Sequence, residues 1–554
     1  MLHRMRGLLV RGGAVLTGDP SRPVVQALAV RGGTVIALGP GAAEAAGADA
    51  EVLDLAGGCA VPGFRDGHVH PLWGGVDMVA APLSDATTLD GLVEAVRAFA
   101  AAHPELTWVT GGGYVSALAP GGRFDATWLD AAVPDRPAVL LANDYHTAWA
   151  NSRALALAGI DRSTPDPPRG QIVRHADGSP QGTLRESAVE LVTRLLPVPT
   201  VQDRRAGLER AAAMLAGHGI VHVQEAALEP EDLDVYLALA AEGRLPLSVS
   251  VALRVDPTRW RDQREQFAAA RARAAQDPSG QVRVRTVKLF ADGVVEAGTA
   301  SMLEAYEPLG PAGCTHASGN HGGDEDGGHG LANWTDAELA EVVTAFDADG
   351  FQVHVHAIGD AAVRASLDAV EAARRAHGPG DRRPVIAHTQ VVHPRDLPRF
   401  AALGVVANFE PLWAQQDPVM VELTEPRLGP QRSLQQYPMA AVLGTGARVS
   451  FGSDWPVTGA APLAGIATAV TRQTPEGQPA GGWLPEQRLP LSAALAAYTS
   501  GTAWQCFDDH AGRLVEGAPA DLVALGADLT RVNGHEIADV PVLSTWRRGE
   551  RTTP

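Results

Sequence analysis

The chain has 554 residues, 45% apolar and 20% charged, with a net charge of -19. That length can bury a large core in more than one domain, and the acidic surplus disfavours nucleic acid and anionic membrane surfaces as partners. No apolar run is long enough to span a bilayer. The basic start Met1–Arg6 soon meets Arg11-Gly12-Gly13, so no secretory signal is read, and three widely spaced cysteines, Cys59, Cys314 and Cys506, give no disulfide framework. A cytoplasmic protein is the expectation.

From the N-terminus, apolar runs at 8–10, 14–16, 27–30 and 34–38 alternate with glycine-rich turns and read as a small antiparallel β unit. The C-terminus has the same texture at 520–525 and 540–546. Neither end has enough strands for its own core. Residues 1–60 and 512–554 are therefore expected to meet in one β-sandwich. Between them, strand-like runs at 138–141, 220–223, 247–251, 284–290, 351–356, 385–388, 405–408 and 449–454 alternate with amphipathic helical stretches at 89–102, 203–217, 231–242, 336–349 and 361–376. This alternation predicts an α/β fold with a (β/α)8 TIM-type barrel over 61–511. Residues 311–333 interrupt it with Gly, His and Asp, including His316, His321 and His329. A solvated loop is the plain reading, and a second metal site or a lid the alternative.

The polar residues at the ends of these runs carry the chemistry. His68 and His70 follow Val61-Pro62-Gly63-Phe64 and, on an extended strand, point to one face. Alone, such a pair reads first as a polar strand end. But Lys288 sits in an apolar run, His356 and His388 each end one, and Asp454 follows Val449-Ser450-Phe451-Gly452. In a TIM barrel these C-terminal strand ends converge on one pocket, and imidazoles with a carboxylate suit Zn²⁺ or another first-row divalent ion. Lys288 is also the only lysine in the chain. In an arginine-rich sequence, this singles out a position where an amine does something that a guanidinium does not.

The motifs His68-Val69-His70, Val287-Lys288-Leu289-Phe290-Ala291-Asp292-Gly293, His356-Ala357-Ile358-Gly359-Asp360, Ile386-Ala387-His388-Thr389-Gln390 and Gly452-Ser453-Asp454-Trp455-Pro456-Val457 together resemble the amidohydrolase superfamily. More narrowly, they resemble its amidohydrolase-3 branch, which includes N-substituted formamide deformylases. The resemblance implies that His68 and His70 bind one metal and His356 and His388 a second. The site would hold one or two divalent ions, Zn²⁺ foremost, and Lys288 would be an N6-carboxylysine bridging two metals. Asp454 would be both a metal ligand and the catalytic acid/base. His354 shares the face of His356, and the His-Ala-Ile-Gly-Asp match favours His356. His146, in Asp144-Tyr145-His146, and Glu186, in Gly182-Thr183-Leu184-Arg185-Glu186, match branch segments and are candidate substrate contacts. Glu186 could instead supply the bridging carboxylate, with Lys288 uncarboxylated. Arg65 and Gly67 depart from the commoner pattern but lie outside the ligand set.

The expected activity is metal-dependent hydrolysis of a non-peptide amide or formamide C–N bond in a small-molecule substrate. The metal lowers the pKa of bound water and Asp454 moves the proton. A homodimer is expected by analogy. A deaminase, decarboxylase or isomerase on the same barrel, and a non-catalytic binding protein, are the alternatives. No Gly-x-Ser-x-Gly elbow and no Gly-x-Gly-x-x-Gly strand–helix fingerprint is present. Trp73, Tyr114, Trp149, Trp413 and Trp455 are placed near the expected mouth, with Trp455 a candidate substrate contact that suits an apolar or aromatic substituent.

Overall fold

The computed structural model describes residues 7–308 and 328–553. At its centre eight parallel strands follow one another in chain order: β1 (Phe64–Val69), β2 (Ile220–Leu228), β3 (Ser248–Arg254), β4 (Val282–Phe290), β5 (Gln352–Ala357), β6 (Val385–His388), β7 (Val406–Phe409) and β8 (Arg448–Phe451). Four of the eight, β1, β5, β6 and β7, are buried along their whole length. That is why they read as continuous apolar runs rather than as alternating ones. Side chains such as Val287 and Leu289 pack outward against the surrounding helices. Two of these helices start with reciprocal caps that satisfy otherwise unpaired N–H groups: Thr200 with Asp203 before Val201–Gly217, and Thr335 with Glu338 before Asp336–Ala348.

The sheet's own ladder stops between β8 and β1, and side chains, with backbone bonds just above them, close the ring. Asp66 on β1 accepts hydrogen bonds from Ser453 N–H at 3.1 Å and Ser453 Oγ at 2.6 Å. Below it, the Gln505 amide donates to Gly67 O and to Gln224 Oε1, each at 2.8 Å, while Ser450 Oγ donates to Gln505 Oε1. The lower lumen is thus a polar, hydrogen-bonded plug rather than layers of branched apolar side chains. The barrel expected from the alternating pattern is present.

Strands from both chain ends share one eight-stranded sheet, in which Cys59–Pro62 pairs antiparallel with Leu522–Leu525. The long strand Leu8–Leu16 pairs with Glu51–Asp54 through its first half and with Cys59–Ala60 through its second. It changes partner at Gly12, whose φ of +82° suits only glycine without strain. The sheet curls until Val35 N–H reaches Ala518 O at 3.0 Å, enclosing a core with Leu28, Leu522 and Trp546.

One part of the architecture differs from the expectation. Between β1 and β2, a six-stranded sheet runs in the order Gly170–Arg174, Pro180–Glu186, Thr147–Ala150, Ala138–Ala142, Val109–Tyr114 and Ala81–Pro82. The run at 138–141 belongs to this sheet and not to the barrel. A buried strand gives the same apolar run in either sheet, so periodicity could not separate them. Tyr114 and Trp149, expected near the mouth, are buried in this unit's core against Phe124. Of the 311–333 stretch, His316 and His321 lie outside the described residues; the ring of His329 contacts Met302 O at 3.0 Å. Among the described residues no helix is long and apolar enough to cross a membrane.

Candidate metal centre

The upper ends of the strands bring His68, His70, Lys288, His356, His388 and Asp454 to one cavity of about 900 Å³. His68 is the second-last residue of β1, and His70 follows as the chain turns into the helix Pro71–Asp77. Asp454 stands just past β8, where its N–H donates to His68 O at 2.7 Å. Its backbone holds φ = 52°, and His388 at the end of β6 holds φ = 69°. A non-glycine residue in the left-handed region costs roughly 1–3 kcal/mol. Here that conformation turns two side chains toward the same point.

Ligand atoms of His68, His70 and Asp454 all lie within 4.8 Å of one another. Asp454 Oδ1 is 3.0 Å from His70 Nε2 and 3.4 Å from His68 Nε2, yet it is buried and forms no aligned hydrogen bond. An orphaned carboxylate oxygen between two imidazole nitrogens is the environment that a divalent cation satisfies. The residues therefore fit a metal.

Protein groups fix the tautomers behind these atoms, as expected for metal-binding histidines. His68 Nδ1 contacts His354 Nε2 at 2.9 Å, which leaves Nε2 toward the cavity. His70 Nδ1 faces Glu225 Oε1 at 3.6 Å, and the Glu225 carboxylate is itself bonded by the Tyr236 hydroxyl. Burial opposes a charge on His70, but the Asp454 and Glu225 carboxylates outweigh it and raise its pKa to about 9. His388 Nδ1 contacts Glu410 Oε2 at 2.8 Å, and its ring stacks on Trp413 at 5.2 Å and 8°. His356 Nε2 meets Gly293 O at 3.1 Å, and Asp292 accepts N–H bonds from Ile358, Gly359 and Ser301 beside it.

Lys288 is fully buried, with its amine 3.1 Å from His68 Nε2 and over the Phe290 ring. Burial lowers its pKa to about 8, against the pull of Asp454 and Glu410. This shift favours the uncharged amine, the form that a reaction with CO₂ requires.

The remaining expected contacts fall in three places. His146 lines the cavity, its ring 5.5 Å from that of His356. Glu186 stands behind it, accepting from Thr299 Oγ1 and holding His146 Nδ1 at 2.8 Å. It touches the cavity through His146 rather than directly. Trp455 does not line the cavity; its indole packs on Gly74, where a Cβ would come within 2.4 Å of the ring. The aromatic wall is made by Trp73, Tyr145, Phe290 and Trp413 instead. The alternatives His354 and His356 also separate: His356 lines the cavity, whereas His354 lies beneath it on His68. Sequence reasoning missed Glu225 and Glu410. Glu225 lies in β2, which continues five residues past the apolar run 220–223, and Glu410 directly follows Phe409. An acidic residue at the end of an apolar run was the available signal.

The family model described as "Amidohydrolase family" matches residues 51–553. The chain is 30% identical over 561 residues to the protein LONG AFTER FAR-RED 3 of Arabidopsis thaliana, covering 99% of this chain and 91% of that one. It is 27% identical to an N-substituted formamide deformylase of Arthrobacter pascens, over 99% and 98% of the two chains. A crystal structure of an uncharacterized metal-dependent hydrolase from Pyrococcus furiosus superposes with a TM-score of 0.67 at 25% identity, covering 93% of this chain and 97% of that one. The barrel, the strand-end histidines and a match that runs over nearly the whole sequence agree: the chain belongs to the amidohydrolase family.

Proposed function

We propose that the protein is a metal-dependent amidohydrolase that cleaves a non-peptide amide or formamide bond of a small molecule. The observation that carries this reading is the buried Asp454 Oδ1, which lies between His68 Nε2 and His70 Nε2 without an aligned hydrogen bond. Its likeness to a formamide deformylase supports the bond type. His68, His70 and Asp454 would hold one divalent ion, with Zn²⁺ the best match to the donor set. His356 and His388 would hold a second, and Lys288, as N6-carboxylysine, would link the two. When bound, such an ion polarises the substrate carbonyl and lowers the pKa of coordinated water.

The chain's own groups then supply the rest. Asp454 takes the proton of the attacking water at a carboxylate oxygen and returns it to the leaving nitrogen. Glu225 and Glu410 fix the imidazoles of His70 and His388. Glu186 holds His146 at Nδ1 and thereby turns its other nitrogen toward the substrate. The aromatic wall excludes water around the substituent. A second reading, a one-metal deaminase, is favoured by the engagement of His356 Nε2 with Gly293 O, and metal stoichiometry separates the two. The direct test is hydrolysis of a panel of N-formyl and N-acyl amines by zinc-loaded and chelator-treated enzyme. Zinc-dependent amine release is expected. Equal activity after complete metal removal would contradict the proposal.

A further inference from the structure

Away from the metal-binding end, the cavity has an uneven charge. Its lining holds five carboxylates outside the candidate ligand set and its supports, from Asp144, Glu229, Asp232, Glu296 and Asp417, against only two guanidiniums, from Arg204 and Arg254. Both arginines are committed to acids. Arg204 pairs with Asp232 at 2.9 Å, and Arg254 lies between Glu229 at 3.6 Å and Glu190 at 3.9 Å. The undescribed residues 309–327 contain no Lys or Arg in their sequence. His146 is already paired with Glu186. Among the described residues, and apart from Lys288 at the metal-binding end, the cavity therefore offers no unpaired guanidinium or ammonium to a carboxylate on a substrate.

Two acceptors, by contrast, stand out. Glu296 lines the cavity on the segment after β4 and forms no ion pair among the described residues. Burial and the nearby Asp144 push its carboxyl up to about 7, against the weaker opposing pull of His146 and Arg427. Independently, Gln415 is 9% exposed and lines the same cavity. Its Nε2 donates to Leu412 O at 2.9 Å, which identifies the other terminal atom as the oxygen, and that Oε1 is buried without a partner. A buried acceptor left unsatisfied is costly, and a ligand N–H or ammonium satisfies it.

From these contacts we infer that the cavity selects its substrate by charge, accepting neutral or ammonium-bearing N-substituted amides and rejecting those that carry a carboxylate, with Glu296 as the specificity-determining acid. This rests on the hydrolase reading above and narrows its substrate class. N-acyl amino acids would place a carboxylate among five acids with no guanidinium to receive it. Discrimination here arises from repulsion and from the absence of a partner, as well as from attraction.

The test uses three N-formyl arylalkylamines on one scaffold: neutral, with an added carboxylate, and with an added primary ammonium. Their kcat/KM values are measured with zinc-loaded enzyme at constant ionic strength. The three product amines are also titrated into the same protein by calorimetry, which needs no turnover. The carboxylated compound should fall about tenfold or more below the neutral one in both assays. Glu296→Gln should shrink the ratio of ammonium to carboxylate substrates. Should none of the amides be cleaved while the amines bind in the expected charge order, the hydrolase reading fails and the charge filter stands. A carboxylated compound equal to the neutral one, a ratio unmoved by Glu296→Gln, or no amine binding overturns the inference.

Discussion

The two histidine pairs at the barrel mouth differ in how completely their surroundings are prepared. His68 and His70, with Asp454, present nitrogen and oxygen atoms toward one point, and the carboxylate oxygen among them is unpartnered. His356 and His388 lie close together, with ring centroids 4.5 Å apart, but His356 Nε2 is occupied by Gly293 O. The first half gathers its ligand atoms at one point, with His68 Nε2 also touching the Lys288 amine. The second must release a protein contact before His356 can use that nitrogen. The Lys288 amine touches the first half, 3.1 Å from His68 Nε2.

The strongest way to break this comparison is at Asp454. Asp454→Asn should lower kcat by about 10²–10⁴-fold, the span of general acid–base catalysis, while metal analysis of the variant still finds an ion at the first half. Loss of all metal with the variant folded would make Asp454 chiefly a ligand. A comparable test at the lumen floor is Gln505→Ala, which strands Gln224, Gly67 O and Ser450. It should cost roughly 2–4 kcal/mol in denaturant unfolding and act on both halves alike, because that plug helps to close the ring.

Smaller effects separate the halves. Glu225→Gln should weaken affinity for the first ion about 10–100-fold, and Glu410→Gln should do the same for a second. Competition with a chromophoric chelator reads both, and the same site responding to both variants would merge the halves. The mildest effect is on pH. His70 in the metal-free protein is held protonated up to about 9, and a ligand must be neutral to bind. Zinc affinity of the first half should therefore rise with pH through this range and level off above it. A flat profile between pH 7 and 9 would remove His70 from the ligand set.

Much of the site was legible because each candidate ligand closes or interrupts an apolar run, and in a parallel barrel those positions converge. Lys288 stood out by composition alone. What could not be read has physical causes. The six-stranded sheet at 81–186 shares its burial with the barrel, so its strand Ala138–Ala142 looked like a barrel strand. Trp149 and Tyr114 went into that sheet's core, because aromatic side chains fill cores as readily as they line mouths. Trp455 was near the ligands in sequence, but the space above Gly74 took its ring away from the cavity. The partners of the histidines come from the neighbouring barrel strand, and only strand pairing brings Glu225 to His70 and Glu410 to His388.

The central claim is that His68, His70 and Asp454 hold a metal. An anomalous-difference map at the zinc edge, from crystals of active zinc-loaded protein, tests it most directly. The account predicts a peak between His68 Nε2, His70 Nε2 and Asp454 Oδ1, with density extending from the Lys288 amine if a second ion occupies His356 and His388. Full activity in crystals whose map shows no peak at these three atoms would contradict it.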